Sequence, residues 1–560
     1  MRAEAAEAIR LDHLSFCYAG QSVPALQDVC LTVHGGEMVV IMGATGAGKS
    51  TLAKCLNRVV PAFQPGALTG EVSICGQRLQ DEGVADLAGI VGLVSQDFEA
   101  QLFATNVVQE VVFGMEQLAV APAAMRQRVT AALDAVGLQG FEGRDPATLS
   151  GGEKQRLAIA ATLALQPSVL VFDEPTTDLD PLGKLEIFAV LAAMRRQGYT
   201  LLIIEHEIAA AEHADRLIVM AAGRIVADDV PARVLADVDF LERHGVRAPD
   251  LSRIATRLRL SPPPNSLEAA EAAIRLQHAP PRVADPPPQA RRSDTPPLVE
   301  AEAVEFQYES TARALAGVSL RIQPGEFLAL IGQNGSGKTT LAKHLNGLLR
   351  PSAGRVLLGG RDLHELPLNR VAGDIGYVFQ NPDHQIFAAT VYDEIAFGPR
   401  NFGLAALQVE ERVAAAVEAV GLNGLEQEDP FVLAKGQRQR LAVAALLALQ
   451  PRLLILDEPT TGLDYVEQRR MMNLLATLHD QGMAILIITH SPWVVAEYAE
   501  RGVLMSAGRM LFDGPLRALF AESALLERAH FCAPDVTRLG QRFGLTPLSV
   551  DEFVGQMGGA

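Results

Sequence analysis

The sequence predicts an α/β fold, and it predicts it twice. Two apolar runs feed glycine loops: EMVVIMG at 37–43 and EFLALIG at 326–332. Two further runs, SVLVFDEP at 168–175 and RLLILDEP at 452–459, are continuously apolar and end in acids. Uninterrupted apolar strands that alternate with helices imply a mainly parallel sheet, with ligands held at the strands' C-terminal ends.

The chain repeats itself. IMGATGAGKST (41–51) returns as LIGQNGSGKTT (330–340), VFDEPTTDLD (171–180) as ILDEPTTGLD (455–464), and LIIEHE (202–207) as LIITHS (486–491). Lys49 and Lys338 are 289 residues apart, whereas Gln96/Gln380, Asp173/Asp457 and His206/His490 are each 284 apart. The first copy therefore carries five extra residues between its lysine and its glutamine, expected within VVPAFQPGALTG (59–70). The repeat reaches the tails, where LERHGVRAPDLSRIATRLRLSP (241–262) matches LERAHFCAPDVTRLGQRFGLTP (526–547). These limits predict a first domain over 1–260, a linker over 261–297 and a second domain over 298–560. The linker is rich in proline and mixed charge, with one helical-looking piece at 266–277, and reads as a semi-stiff tether.

Composition narrows the class. Of 560 residues, 49% are hydrophobic and 20% charged, ordinary values for a globular protein. No apolar run approaches the roughly 18 residues of a membrane span, and the opening MRAEAAEAIRLDH lacks the apolar core of a signal peptide. A net charge of −18 argues against nucleic acid as a main partner, because phosphate backbones demand clustered Lys and Arg. The five cysteines form no CxxC pair and read as reduced thiols.

The pattern GxxxxGK[ST] occurs twice. In the first copy it comprises Gly43, Ala44, Thr45, Gly46, Ala47, Gly48, Lys49 and Ser50, followed by Thr51. In the second it comprises Gly332, Gln333, Asn334, Gly335, Ser336, Gly337, Lys338 and Thr339, followed by Thr340. Glycines let backbone N–H groups curl around phosphate oxygens, and the next helix adds its positive end. Lys49 and Lys338 are expected on the β/γ-phosphates, and Ser50 and Thr339 on Mg2+. The strand-end pairs assign Asp173 and Asp457 to Mg2+, and Glu174 and Glu458 to the attacking water. His206 and His490, each after an apolar strand, are expected to hydrogen-bond the γ-phosphate. Gln96 and Gln380 also end strands and join the catalytic and metal set. Tyr18 and Tyr308, ahead of each loop, are candidates to stack on adenine.

These elements together resemble the ATP-binding-cassette (ABC) ATPases over nearly all of both copies. LSGGEKQR (149–156) carries the resemblance, since other phosphate-loop enzymes lack it. The resemblance implies that each cassette has a mainly parallel core sheet, an antiparallel subdomain, a helical signature subdomain and a short C-terminal helical appendage. It also implies an intramolecular cassette pair docked head to tail. Ser150, Gly151 and Gly152 would then face the nucleotide on Lys338, and Ala434, Lys435 and Gly436 the one on Lys49. Asp180 and Asp464 would line the same seam. Ala434 removes a hydroxyl donor that Ser150 retains; Lys435 either lends a cation or points outward. A weakened but working site at Lys49 is the expectation.

FQNPDHQIFAATVYDEIAFGPRNFG (379–403) looks very like the ATPases of energy-coupling-factor importers of vitamins and transition-metal ions, and SQDFEAQLFATNVVQEVVFGMEQL (95–118) is a looser version. That resemblance implies a transmembrane coupling protein and a substrate-binding membrane component as partners, at the cytoplasmic face of the membrane. Ile386, Phe387 and Phe103 are expected to line a groove for an amphipathic partner helix. Other tandem importer ATPases and soluble two-cassette translation factors are the alternatives. The intact loop Gly332–Thr339 weighs against the sugar-importer type, and the proline-broken linker and acidic chain weigh against the ribosome-bound type.

Overall fold

The computed structural model describes residues 6–80, 82–278, 295–308 and 313–558. Most of the proline-rich stretch, 279–294, lies outside them. Contacts divide the chain into two compact units, Met1–Ser252 and Arg253–Ala560.

In the first unit, β1 (Glu7–Tyr18), β2 (Leu26–His34), β4 (Gly66–Ile74) and β5 (Gln77–Arg78) form an antiparallel sheet in the order β2-β1-β4-β5. A second, six-stranded sheet holds β3 (Met38–Met42), β6 (Val91–Val94), β7 (Val169–Asp173), β8 (Thr200–Ile204), β9 (Arg216–Ala221) and β10 (Arg224–Asp229). Its order is β10-β9-β3-β8-β7-β6, parallel except for the β9/β10 hairpin. The fully buried strands β3, β7 and β8 explain the unbroken apolar runs in the sequence. Their side chains divide by the two-residue strand period. Val39 and Ile41 pack toward the antiparallel sheet and the helix Lys49–Leu56, while Met38, Val40 and Met42 pack toward the helix Gly151–Leu163.

The second unit repeats the plan. Strands β11 (Val299–Gln307), β12 (Arg313–Ile322), β14 (Ala353–Leu358) and β15 (Arg361–Asp362) form one sheet. Strands β13 (Phe327–Ile331), β16 (Ile375–Val378), β17 (Leu453–Asp457), β18 (Ala484–Ile488), β19 (Arg501–Ser506) and β20 (Arg509–Pro515) form the other, in the order β16-β17-β18-β13-β19-β20.

The five extra residues fall where the register argument put them. Gly70 (φ 87°) and Gly354 (φ 80°) occupy the same bulge, each with no room for a Cβ against a β1 or β11 carbonyl. They are already 284 apart, so the insertion lies before Gly70. It builds the turn Val59–Ala62 and lengthens β4 beyond its counterpart β14.

The helical-looking piece is a helix, Leu267–Gln277, capped by Ser266 Oγ accepting from Ala269 N at 3.1 Å. Ala270 and Ile274 are buried, and Arg542 bridges Glu268 and Glu271. Arg257 pairs with Asp551 at 2.8 Å, and Arg275 stacks over Phe543. Residues 253–278 thus pack on the C-terminal helices of the second unit.

Candidate nucleotide sites

Each glycine loop leaves a buried strand and enters a helix. Gly43 and Gly332 adopt φ of 145° and 147°, and a Cβ there would lie 2.1 and 2.2 Å from the carbonyl oxygens of Met220 and Met505. Only glycine permits that approach of loop and sheet. Lys49 Nζ donates to Gly43 O (2.7 Å) and Ala44 O (3.0 Å); Lys338 Nζ donates to Gly332 O and Gln333 O, both at 2.7 Å. Both ammonium groups therefore sit inside the loop curl, almost wholly buried.

The metal-binding candidates meet. Ser50 Oγ lies 3.1 Å from Asp173 Oδ1, and Thr339 Oγ1 2.8 Å from Asp457 Oδ2. Burial pushes both aspartate carboxyls above their usual range, and the neighbouring Glu174 and Glu458 add to it. A part-buried oxygen pair held this way fits a hard divalent cation such as Mg2+. The second site has an extra contact, because Tyr377 OH donates to Asp457 Oδ2 at 3.0 Å where the first site has Leu93. Burial and Asp457 push the Tyr377 hydroxyl upward, so it stays a donor.

Glu174 and Glu458 directly follow β7 and β17 with φ of 52° and 50°, a backbone region costly for a non-glycine residue. That twist turns the side chain from the sheet toward the next strand's histidine. Glu174 Oε1 is 2.9 Å from His206 Nε2, and Oε2 accepts from Gln96 Nε2 (2.7 Å) and Thr177 Oγ1 (3.1 Å). Burial opposes its ionisation, but His206, Lys49 and Thr177 together bring the carboxyl below its usual range. Glu458 Oε1 is 3.0 Å from His490 Nε2, and Thr461 Oγ1 donates to Oε2 at 3.3 Å. His490 Nε2 also lies 3.1 Å from Asn334 Oδ1, in the phosphate loop. Among the described residues Gln380 makes no hydrogen bond to Glu458, unlike Gln96 to Glu174.

Thr177 and Thr461 escaped the sequence reading, although their repetition in EPTT was a usable signal. Glu205 escaped it too. Buried beside His206, it accepts from Thr176 N (3.0 Å) and His206 N (2.9 Å), and burial raises its carboxyl. Thr489 takes its place in the second unit.

Tyr18 and Tyr308 reach the phosphate-loop helices. Tyr18 OH is 3.0 Å from Thr51 Oγ1, and Tyr308 OH 3.4 Å from Thr340 Oγ1. Each ring is propped edge-on by a phenylalanine two residues earlier, Phe16 or Phe306.

The two signature helices differ at their starts. Ser150 caps its helix: Oγ accepts from Glu153 N at 3.3 Å, and Glu153 Oε2 accepts from Ser150 N at 2.7 Å. Ala434 has no side-chain acceptor, so only the reciprocal bond survives, from Ala434 N to Gln437 Oε1 at 3.0 Å. Beneath Gly152 lies Gly183; beneath Gly436 lies Glu467, whose Oε2 would stand 2.5 Å from a Cβ at that position. The supporting ion pair has moved by one helical turn. Arg156 pairs with Glu186, whereas Arg440 pairs with Glu467, and Arg470 replaces Glu186.

After each strand-end glutamine the chain folds over a buried glutamate. Glu110 Oε2 accepts from Phe103 N (3.0 Å) and Ala104 N (2.8 Å); Glu394 Oε2 accepts from Phe387 N and Ala388 N at the same distances. The turn exposes Phe103 and Phe387, each 61% accessible, packed edge-on against the half-exposed Phe113 and Phe397. Ile386 does not join them. It is 4% accessible and belongs to the core, because adjacent residues of an extended segment point to opposite sides.

The sequence family described as ABC transporter matches residues 26–177 and 315–461. A protein of Caldanaerobacter subterraneus named as an ABC transporter ATP-binding protein is 44% identical over 95% of this chain and 95% of its own. One of the same description from Methanosarcina acetivorans is 39% identical over 97% of this chain and 91% of its own. A solved structure of cbiO1 from Clostridium perfringens, titled as part of the ABC transporter complex cbiONQ, is 34% identical, covering 42% of this chain and 94% of that one, with a TM-score of 0.39.

Proposed function

This chain belongs to the ABC transporter family, as a tandem ATP-binding ATPase subunit, and from that premise we propose that it energises an importer of the energy-coupling-factor type. Its solute would be a vitamin, a vitamin precursor or a transition-metal ion. The observation that carries this reading is the pair of exposed aromatic clusters, Phe103/Phe113 and Phe387/Phe397, one after each strand-end glutamine. An isolated ATPase gains nothing from presenting paired rings to water, whereas an amphipathic helix of a membrane subunit can bury them. Among the described residues no helix is long and apolar enough to cross a membrane, and in this reading the translocation path is the partners'.

In this reading the chain works at the cytoplasmic face of the membrane and its two cassettes form the nucleotide-sandwiching pair. Lys49 and Lys338 hold the β/γ-phosphates. Ser50 with Asp173, and Thr339 with Asp457, hold Mg2+, which offsets charge on the phosphates; Gln96 and Gln380 add to that shell. Glu174 and Glu458 orient and deprotonate the attacking water. His206 and His490 exchange their present contacts with these acids for the γ-phosphate, and Tyr18 and Tyr308 stack on adenine. The Ser150 helix start completes the Lys338 nucleotide, and the Ala434 start completes the Lys49 nucleotide less well. Closure is driven only by the excess affinity of ATP for the closed state.

Affinity purification from membranes of the source cell tests the proposal. Recovery of a multi-spanning membrane protein, lost when Phe103 and Phe387 are both changed to Asp, is the expected result. Sedimentation with ribosomes in place of membrane partners would overturn it.

A further inference from the structure

The antiparallel sheet of the first unit holds a cluster that nucleotide chemistry does not use. At a bulge in β1, Asp12 and His13 face Cys30 and Asp28 of β2. His13 Nδ1 lies 2.6 Å from Asp28 Oδ1 and 3.8 Å from Cys30 Sγ, and its Nε2 lies 3.8 Å from Asp12 Oδ1. One ligand atom each from Asp12, His13 and Cys30 lies within 4.8 Å of the others.

The repeat separates architecture from chemistry. The same bulge exists in the second unit, where Ala303 (φ 44°) stands for His13 (φ 50°) and Gly317 (φ 78°) for Asp28 (φ 54°). There the backbone N of Ala303 donates to Ser319 Oγ at 2.9 Å, as His13 N does to Cys30 Sγ at 3.4 Å. The bulge therefore needs neither an imidazole, nor a thiol, nor an aspartate. Charge differs in the same way. Glu302, the counterpart of Asp12, faces Arg355 across the strands and pairs with it at 2.6 Å. Asp12 instead faces Glu71. Like charges directly opposed across a sheet are unfavourable without a cation. Glu71 has Arg78 at 2.6 Å, but among the described residues the basic partner of Asp12 and Asp28 is His13 itself.

The geometry points to a surface site for a zinc-class divalent cation, ligated by the Asp12 carboxylate, the His13 imidazole and the Cys30 thiolate, with solvent completing a tetrahedron. The donor set is the mixed N, S and O set that zinc accepts, and the thiolate disfavours magnesium and calcium. Asp28 takes up His13 Nδ1, the usual work of a carboxylate beside a ligating histidine, and leaves Nε2, the nitrogen nearer Asp12, as the ligand atom.

Titration of the nucleotide-free full chain with Co2+ and Zn2+ decides the matter. One equivalent of Co2+ is expected to bind with a thiolate charge-transfer band, and Zn2+ is expected to displace it. Cys30→Ser is expected to abolish the band, and His13→Ala to weaken Zn2+ binding at least tenfold. Cys75→Ser, at another exposed cysteine, leaves both unchanged, and retained ATPase turnover in each variant shows that it is folded. The phosphate-loop sites lack sulphur and give no such band. Absence of the band, or a band and affinity indifferent to Cys30→Ser and His13→Ala, would overturn the site.

Discussion

His206 Nε2 lies 2.9 Å from Glu174 Oε1, and in the second unit His490 Nε2 lies 3.0 Å from Glu458 Oε1. In the first unit the histidine proposed to read the γ-phosphate is thus hydrogen-bonded to the acid proposed to activate water, whereas in the second the two lie close and His490 Nε2 bonds to Asn334 Oδ1. Gln96 also holds Glu174, at 2.7 Å, while Glu458 has no equivalent bond among the described residues. In the proposed reaction Glu174 therefore starts with both carboxylate oxygens already bonded, to His206 on Oε1 and to Gln96 on Oε2.

The first prediction follows from that difference and from the altered signature start. Glu458→Gln should lower steady-state ATPase by about a hundredfold or more, the scale of a lost general base. Glu174→Gln should cost clearly less. Should Glu174→Gln stop turnover while Glu458→Gln does not, the assignment of the stronger site is wrong.

Ala434→Ser should restore the missing cap. The new hydroxyl can accept from Gln437 N as Ser150 does from Glu153 N, worth about 0.5–2 kcal/mol to the second unit. In the proposed head-to-tail pair it would also return a donor toward the Lys49 nucleotide, about 1.5–3 kcal/mol for a bond to a charged group. Chemical denaturation and ATP affinity should therefore both improve. Gain in stability without gain in affinity would leave the cap and reject the cross-site role.

Phe387→Asp and Phe397→Asp should abolish membrane-partner capture while leaving the isolated chain's basal ATPase within about twofold, since surface changes away from core and caps are mild. Ile386→Asp should instead destabilise the fold, because it buries an unpaired charge. Equal behaviour of the two classes in a pull-down and a thermal melt would contradict the division drawn between them.

Arg501 ties β19 to its surroundings. It donates to Glu326 Oε1 at 2.9 Å, to both carboxylate oxygens of Asp513 and to Arg321 O. Burial opposes its charge, but these acids raise its pKa overall. Arg501→Met should cost about 2–3 kcal/mol, below the 3–5 of a fully buried pair because the side chain keeps some exposure. Adding Glu326→Gln should recover part of the loss; strict additivity in denaturant titrations would mean the groups do not interact.

The sequence by itself determined the repeat, the two phosphate loops, the strand-end acids and the location of the extra five residues. These are legible because each is local: a glycine pattern fixes backbone geometry, and a fully buried strand must be apolar throughout. Tertiary structure alone decided which aromatic and aliphatic neighbours face water. Phe387 and Ile386 are adjacent and similarly apolar, and only the bonds from Phe387 N and Ala388 N to the buried Glu394 settle their directions. It also decided that Glu467, 31 residues beyond Gly436, would lie under the altered helix start, and that His13 and Cys30 would meet across a bulge. Such contacts join positions far apart in the chain, and no local propensity encodes a distance that only packing creates.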